Sequence, residues 1–237
     1  MLSFIVPAHN EEHELPATLR ALRTAANAAG EPYEIVLVDD ASTDATAEIA
    51  DRAGARVLPV QFRQIAAVRN AGARVASGDI LFFVDADTQI APGHVTAAVA
   101  ALASGCVGGS ARVALDREVP LWARIFLRTF SFFYFAANLG VGAFLFMQRE
   151  SFEAAGGFDE QYFAGEEAYL SMALKKLGPI KILREPIVTS ARKIRMHSPR
   201  FVLAQSLFIF FGGKRALRRR QKLDLWYDGK RESAEVG

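Results

Sequence analysis

The chain has 237 residues, a hydrophobic fraction of 51% and a net charge of +2. That length suits one large domain with appendages, and that apolar content is ample for a sizeable core. Its single cysteine, Cys106, excludes an internal disulfide framework and a cysteine-rich zinc site, and fits a reducing compartment.

The small net charge hides an asymmetry. Residues 1–191 carry 16 Lys or Arg against 22 Asp or Glu, whereas Arg192–Lys222 holds ten basic residues and no acid. A mildly acidic body ending in a basic tail suggests an anionic partner: membrane lipid, nucleic acid or a phosphorylated substrate. A solvated cationic helix is the plainer alternative.

The N-terminal "MLSFIVPAHN" lacks a basic leader and enters a strand at once, so no signal peptide is expected. Leu2–Val6 reads as a short apolar strand. Leu15, Leu19, Leu22, Ala26 and Ala29 then recur at helical steps up to Gly30. "EIVLVDD" is a second strand, and Asp44 can cap the helix "DATAEIADRAG". "RVLPV" is a weaker third strand, "RQIAAVRNAGARVASG" a helix, and "DILFFVD" a fourth strand. Pro92 opens the helix "PGHVTAAVAALASG". Continuous apolar strands alternating with helices predict an α/β fold, a mostly parallel sheet covered on both faces.

Beyond Ala103 the pattern changes. "CVGGSARVAL" fits a strand. Phe130–Met147 is 18 residues without a charge, at the lower edge of a membrane span. Ser131, Asn138, Gly140 and Gly142 interrupt it, so it is read as a helix to about Ala137 and a strand from about Gly142. A helix follows from about Glu166 to Leu177. Near the end, "RFVLAQSLFIFFGG" is too short to span, and "KRALRRRQK" follows it directly. An apolar stretch beside a basic one is typical of an interfacial membrane helix. The alternative is a C-terminal helix docked on the body.

Three strand ends carry polar groups: Pro7-Ala8-His9-Asn10-Glu11, Asp39-Asp40 and Asp85-Ala86-Asp87. Parallel strands bring them to one edge, where open α/β sheets bind ligands. Carboxylates crowded there repel, and a divalent cation relieves that repulsion. An all-oxygen donor set points to Mg²⁺ or Mn²⁺ rather than zinc, with a diphosphate completing the coordination.

Four stretches carry a family resemblance: "IVPAHNEE" (5–12), "IVLVDDASTDAT" (35–46), "RNAGARVASGDILFFVDADT" (69–88) and "GGFDEQYFAGEEAYLSMALKKLG" (156–178). In order and spacing they resemble the family 2 glycosyltransferases of GT-A fold. The resemblance implies inverting transfer of one sugar from a nucleotide-sugar to an acceptor. It implies a Rossmann-like GT-A domain over residues 1–190, with a nucleotide-sugar half (1–103) and an acceptor half (104–190). The basic, partly apolar segment 191–237 follows. Matched position by position, Pro7, His9 and Glu11 line the nucleotide pocket, Asp39 meets the base, and Asp40 lies near the ribose. Arg69 helps hold the nucleotide. Asp85 and Asp87 match the Asp-x-Asp motif, Asp87 as direct metal ligand and Asp85 on the ribose or a metal-bound water. "GEEAYLS" stands where the family has Gly-Glu-Asp-x-Asp-Leu, so Glu167 matches the base and Glu166 is the adjacent candidate. His197 lies where some GT-A enzymes place a metal-ligating histidine. Tyr169 replaces a common second acid, and the Gln-x-x-Arg-Trp motif of processive members is not visible.

The partners implied are a nucleotide-sugar donor, a sugar or lipid-linked acceptor and an anionic membrane surface, without nucleic acid. The expected location is cytoplasmic, peripheral at the inner face of the membrane. Two rivals remain. "ILFFVDADT" also fits the nucleophile motif of haloacid-dehalogenase-type phosphatases, with Asp85 as nucleophile and Asp87 as acid. A non-catalytic membrane scaffold would use only the basic tail. A dinucleotide fold would need Gly-x-Gly-x-x-Gly after the first strand, which is absent.

Overall fold

The structure, a computed structural model, describes residues 1–116, 119–125, 129, 135, 139–202, 204, 205, 217 and 218. Eight strands form one sheet: β1 (Leu2–Ala8), β2 (Tyr33–Asp40), β3 (Arg56–Val60), β4 (Ile80–Val84), β5 (Thr88–Gln89), β6 (Gly108–Leu115), β7 (Phe144–Gln148) and β8 (Ile180–Thr189). Their spatial order is β3-β2-β1-β4-β7-β6-β8-β5. Strands β1–β4 are mutually parallel, β7 runs antiparallel to both β4 and β6, and β8 is parallel to β6. Among the described residues, helices α1 (Leu15–Ala29), α2 (Thr46–Arg52), α3 (Ile65–Val75), α4 (Pro92–Ala103), α5 (Arg149–Ala154), α6 (Glu166–Leu177) and α7 (Arg192–Met196) surround it.

The central strands alternate between two apolar cores, because successive side chains in a strand face opposite ways. Phe4, Val6, Phe82 and Val84 join Leu15, Leu19 and Leu22 of α1 and Val95 and Ala98 of α4. Ile5, Leu81 and Phe83 face the other way, onto Val68 and Ala71 of α3 and Leu170 and Leu174 of α6. Burial on both faces explains why these strands read as unbroken apolar runs. β3, which contains Pro59, lies at the sheet edge, where a missing N–H costs little.

Residues 1–103 follow the sequence closely. α1 ends at Gly30 in the left-handed conformation (φ 70°), and Pro92 occupies the first turn of α4. Asp44 does not occupy the N-cap of α2, which is Ala45, but its Oδ1 accepts the Thr46 N–H at 3.0 Å. Two strands were not legible. β8 contains Pro186 and five charged or exposed positions, and β5 is only two residues long. The strand expected from Gly142 begins at Phe144. Residues 121–125 are helical, and the rest of the helix expected to reach Ala137 falls almost wholly outside the described residues. The apolar 201–211 segment and "KRALRRRQK" also lie mostly outside them. Leu217 is buried against Tyr162 and Ala164, and Arg218 sits over the Tyr162 ring at 5.1 Å. Among the described residues, no helix is long and apolar enough to cross a membrane.

One glycine sets how closely α3 lies on the sheet. A Cβ at Gly72 would meet Ile5 Cγ2 at 2.4 Å and Val38 Cγ2 at 2.8 Å, both in the fully buried core. Alanine would gain about 1 kcal/mol of helix propensity, yet overpacking costs about 1–3 kcal/mol. Gly72→Ala is therefore expected to lower the melting midpoint by about 2–4 °C per kcal/mol lost, despite the better helix former. Thermal unfolding by circular dichroism checks the sign.

Candidate active site

The parallel strands β1, β2 and β4 end at Ala8, Asp40 and Val84, so the three polar segments meet at one edge. The Asp-Ala-Asp turn is held tightly. Thr88 N–H donates to Asp85 O at 3.0 Å, the Thr18 hydroxyl of α1 donates to Ala86 O at 2.7 Å, and Asp85 N–H reaches Ala143 O at 3.3 Å.

Arg69 is the centre of this edge. It is 2% exposed, and Gly72 one turn on lets its helix lie against the strands. Its Nη2 donates to Asp85 Oδ1 at 2.8 Å and to Gly142 O at 3.1 Å, and its Nη1 to Glu166 Oε1 at 2.5 Å. Phe158 lies under the guanidinium at 5.3 Å. Burial opposes the charge, but Asp85, Glu166 and Glu167 together outweigh it and hold the Arg69 pKa above its ordinary value.

A second arginine does the same on the other side. Arg192, at the start of α7, forms a two-bonded fork with Glu11: Nη1 to Oε2 and Nη2 to Oε1, each 2.6 Å. Nη2 also lies 3.2 Å from Asp87 Oδ2, and the Thr189 hydroxyl is 3.4 Å from Asp87 Oδ1. Burial works against this guanidinium too, and Glu11 and Asp87 prevail, raising its pKa. The sequence offered Arg192 only as one charge of a basic tail. The signal that could have found it is the requirement that a buried Glu11 be paired.

The two adjacent glutamates differ. Glu166 is buried and committed to Arg69. Glu167 is half-buried, and among the described residues no other side chain forms an ion pair or hydrogen bond with its carboxylate. Burial first, and the neighbouring Glu166 charge second, push the Glu167 pKa up to about 8, against the pull of Arg69.

Pro7 is buried within β1. Asp39 Oδ1 accepts Ser42 N–H at 3.2 Å. Asp40 Oδ1 accepts Phe62 N–H at 2.7 Å and Arg63 N–H at 3.0 Å, fixing the loop after β3. His9 Nδ1 lies 2.9 Å from Asp40 O, and Arg63 Nη1 lies against its ring. Neither Arg63 nor the loop carrying it was singled out by the sequence. His197 follows α7 and stacks on Phe201 at 4.9 Å.

A divalent cation suits this edge by charge and donor chemistry. Glu11, Asp85, Asp87, Glu166 and Glu167 surround two arginines, leaving more carboxylates than cations. Apart from His197, every candidate ligand is a hard oxygen, as Mg²⁺ or Mn²⁺ prefers. No three His, Cys, Asp or Glu side chains form a ready metal cage among the described residues, so Asp85, Asp87 and His197 do not gather into one. A cation here would rely on one or two carboxylates and on ligand oxygens.

The sequence profile of "Glycosyl transferase family 2" matches residues 3–154, more than half of the chain. The chain belongs to glycosyl transferase family 2. Membership displaces the phosphatase reading, which rested on one short motif. Two of its relatives are undecaprenyl-phosphate 4-deoxy-4-formamido-L-arabinose transferases. That of Pseudomonas aeruginosa (strain LESB58) is 37% identical over 133 residues, covering 52% of this chain and 38% of the relative. That of Pectobacterium carotovorum is 32% identical over 137 residues, covering 54% and 41%. The matches thus span about two fifths of those relatives' length. Among solved structures, Pyrobaculum calidifontis mannosyltransferase PcManGT in complex with GDP-Man and Mn²⁺ superposes with a TM-score of 0.63 at 21% identity, covering 96% of this chain and 73% of that one. S. aureus TarS 1-349 in complex with UDP-GlcNAc gives 0.62 at 21% identity, covering 81% and 58%. The fold is therefore GT-A. The family match ends at Ala154, so Glu166 and Glu167 lie beyond it.

The raised Glu167 pKa has a consequence for stability. A carboxyl that is more basic folded than unfolded stabilises the fold fully below its ordinary range, and that contribution is lost as pH rises through about 8. Unfolding free energy from urea melts should fall between about pH 5 and pH 8 more steeply for the natural chain than for Glu167→Gln. Equal slopes would show that Glu167 titrates normally.

Proposed function

We propose that this protein transfers a single sugar, with inversion, from a nucleoside-diphosphate sugar to an acceptor hydroxyl, aided by a divalent cation. The observation that carries the reading is the pairing of Glu166 and Glu167: one is fixed on Arg69 and so on the Asp-x-Asp turn, and the other keeps its carboxylate available. The two solved structures of similar fold are complexes with UDP-GlcNAc and GDP-Man, both nucleoside-diphosphate sugars, which supports that donor class.

Pro7, His9 and Glu11 would line the nucleotide, with Asp39 at the base and Asp40 near the ribose. Asp87, with Asp85, would hold Mn²⁺ or Mg²⁺. When bound, such a cation neutralises the departing diphosphate. Arg69 orients Asp85 and Glu166 while adding positive potential at the site of the leaving group. Glu167 accepts the acceptor's proton as its oxygen attacks, a contribution of about 10²–10⁴-fold. Its raised pKa places the base near working pH, where general-base catalysis is most effective. Inversion requires attack from the face opposite the leaving group, which a base on a separate helix permits.

A lipid-linked acceptor is supported by the relatives' names, which contain undecaprenyl-phosphate. It is also supported by the helical stretch 121–125, where Leu121 (67% exposed) and Ile125 (59%) flank Arg124 one turn apart. The reading therefore puts the protein peripherally at the inner face of the membrane. The same names favour a second reading, in which the acceptor is the polyprenyl phosphate itself. A phosphate monoester is already largely ionised at neutral pH, with a second pKa of about 6, and needs no base.

Glu167→Gln separates the two. With a hydroxyl acceptor it should keep nucleotide binding and lose transfer by about 10²–10⁴-fold. With undecaprenyl phosphate as acceptor, transfer should survive. Radiolabelled-sugar transfer to each acceptor measures this, and loss with Glu166→Gln alone would move the base by one residue. Asp87→Ala should abolish the Mn²⁺-dependent part of the melting shift given by UDP or GDP. A shift of unchanged size would remove Asp87 from the cation site.

A further inference from the structure

We propose that Arg192 is a positioning residue that keeps a divalent cation off Asp87 until a diphosphate arrives with it. The inference rests on the donor-site reading above and adds an order of events to it.

The geometry is specific. Glu11 alone satisfies the guanidinium fork, with one bond to each terminal nitrogen at 2.6 Å. Nη2 nevertheless also faces Asp87 Oδ2 at 3.2 Å, while Thr189 lies at 3.4 Å from the other oxygen. Both oxygens of the expected metal ligand are thus met by the end of β8 and the start of α7. The guanidinium is charged at every accessible pH. A cation approaching Asp87 alone meets a fixed positive charge beside its ligand and loses affinity by roughly tenfold or more.

A diphosphate reverses that balance. Its oxygens supply ligands to the cation, and its negative charge offers the second N–H of Nη2 a new acceptor. Glu11 holds the fork throughout, so Arg192 needs only a small displacement from Asp87. Lysine could not do this, because its single ammonium cannot hold two carboxylates in a planar fork.

The test is uptake of Mn²⁺ by the full chain, read as loss of the free-ion EPR signal, with Mn²⁺ alone and with UDP or GDP added. The natural chain should bind Mn²⁺ far more tightly with nucleotide than without. Arg192→Gln should tighten binding of Mn²⁺ alone by roughly tenfold, closing much of that gap. Removing Arg192 leaves Glu11 buried without its partner, which destabilises the fold. The double variant Glu11→Gln/Arg192→Gln removes both charges and should keep a melting midpoint near the natural one; its gain should be smaller, because the attraction of Glu11 is lost too, but still present, because Arg192 is the charge in contact with Asp87. Adding Asp87→Asn to the double variant should erase the gain, which a purely structural role for Arg192 would not predict. Nucleotide-dependent uptake in the natural chain with no gain in either variant overturns the role of Arg192 and leaves the donor site standing. No Mn²⁺ uptake by the natural chain with either nucleotide overturns both.

Discussion

The molecule turns on a single buried guanidinium. Arg69 sits at the carboxyl edge of the sheet and bonds to Asp85 from the strand β4 turn and Glu166 from α6. The two acids are far apart in sequence, and each would repel the other without it. Their relative position is therefore set by one planar fork of donors rather than by loop conformation. The Gly72 approach that brings α3 close to the strands, the carbonyl of Gly142 and the ring of Phe158 all serve to fix that fork. Removing one partner of such a buried arrangement leaves an uncompensated charge, which is far costlier than losing a surface pair.

Arg192 repeats this solution with different economy. It joins Glu11 after β1 to Asp87 after β4, and it comes from the far end of the sheet at β8. The two arginines divide the acids between them, Arg69 holding Asp85 and Glu166 and Arg192 holding Glu11 and Asp87. The clustering still leaves negative charge in excess, and that excess is what suits the edge to a divalent cation. It also keeps Glu167 protonated more readily than an ordinary glutamate, because burial and its neighbour both disfavour ionisation.

How far the sequence foretold this depends on the kind of signal. Strands buried on both faces, such as "IVLVDD" and "ILFFVDAD", announce themselves because every residue is apolar until the edge. The acids that end them were legible for the same reason. β8 was not, since half of its residues face solvent and Pro186 interrupts it, so no period of two survives. Asp39, Asp40 and Glu11 were expected at one edge, and the parallel pairing of β1 and β2 brings them there, but their partners were not foreseen. Arg63, Thr189 and Arg192 are held there by tertiary contact alone, and nothing local distinguishes them. The basic tail illustrates the limit: Arg192 and Arg195 belong to it by composition, yet one pairs with Glu11 and the other lies 3.4 Å from Asp116.

The antiparallel β7 has a wider consequence. Because β6 runs with β4 and β7 against it, the chain leaves β6 and enters β7 at the same edge as the site. The whole connection of residues 116–143 is thereby anchored at both ends above that edge, and one end touches Arg69 through Gly142. Changes of length or sequence there would alter what is anchored beside Arg69 while leaving the β1, β2 and β4 loops untouched. On the proposed reading, the fold thus separates two evolutionary problems: one part of the edge can be kept for a common donor chemistry, and the connection between β6 and β7 can be rewritten for each new acceptor.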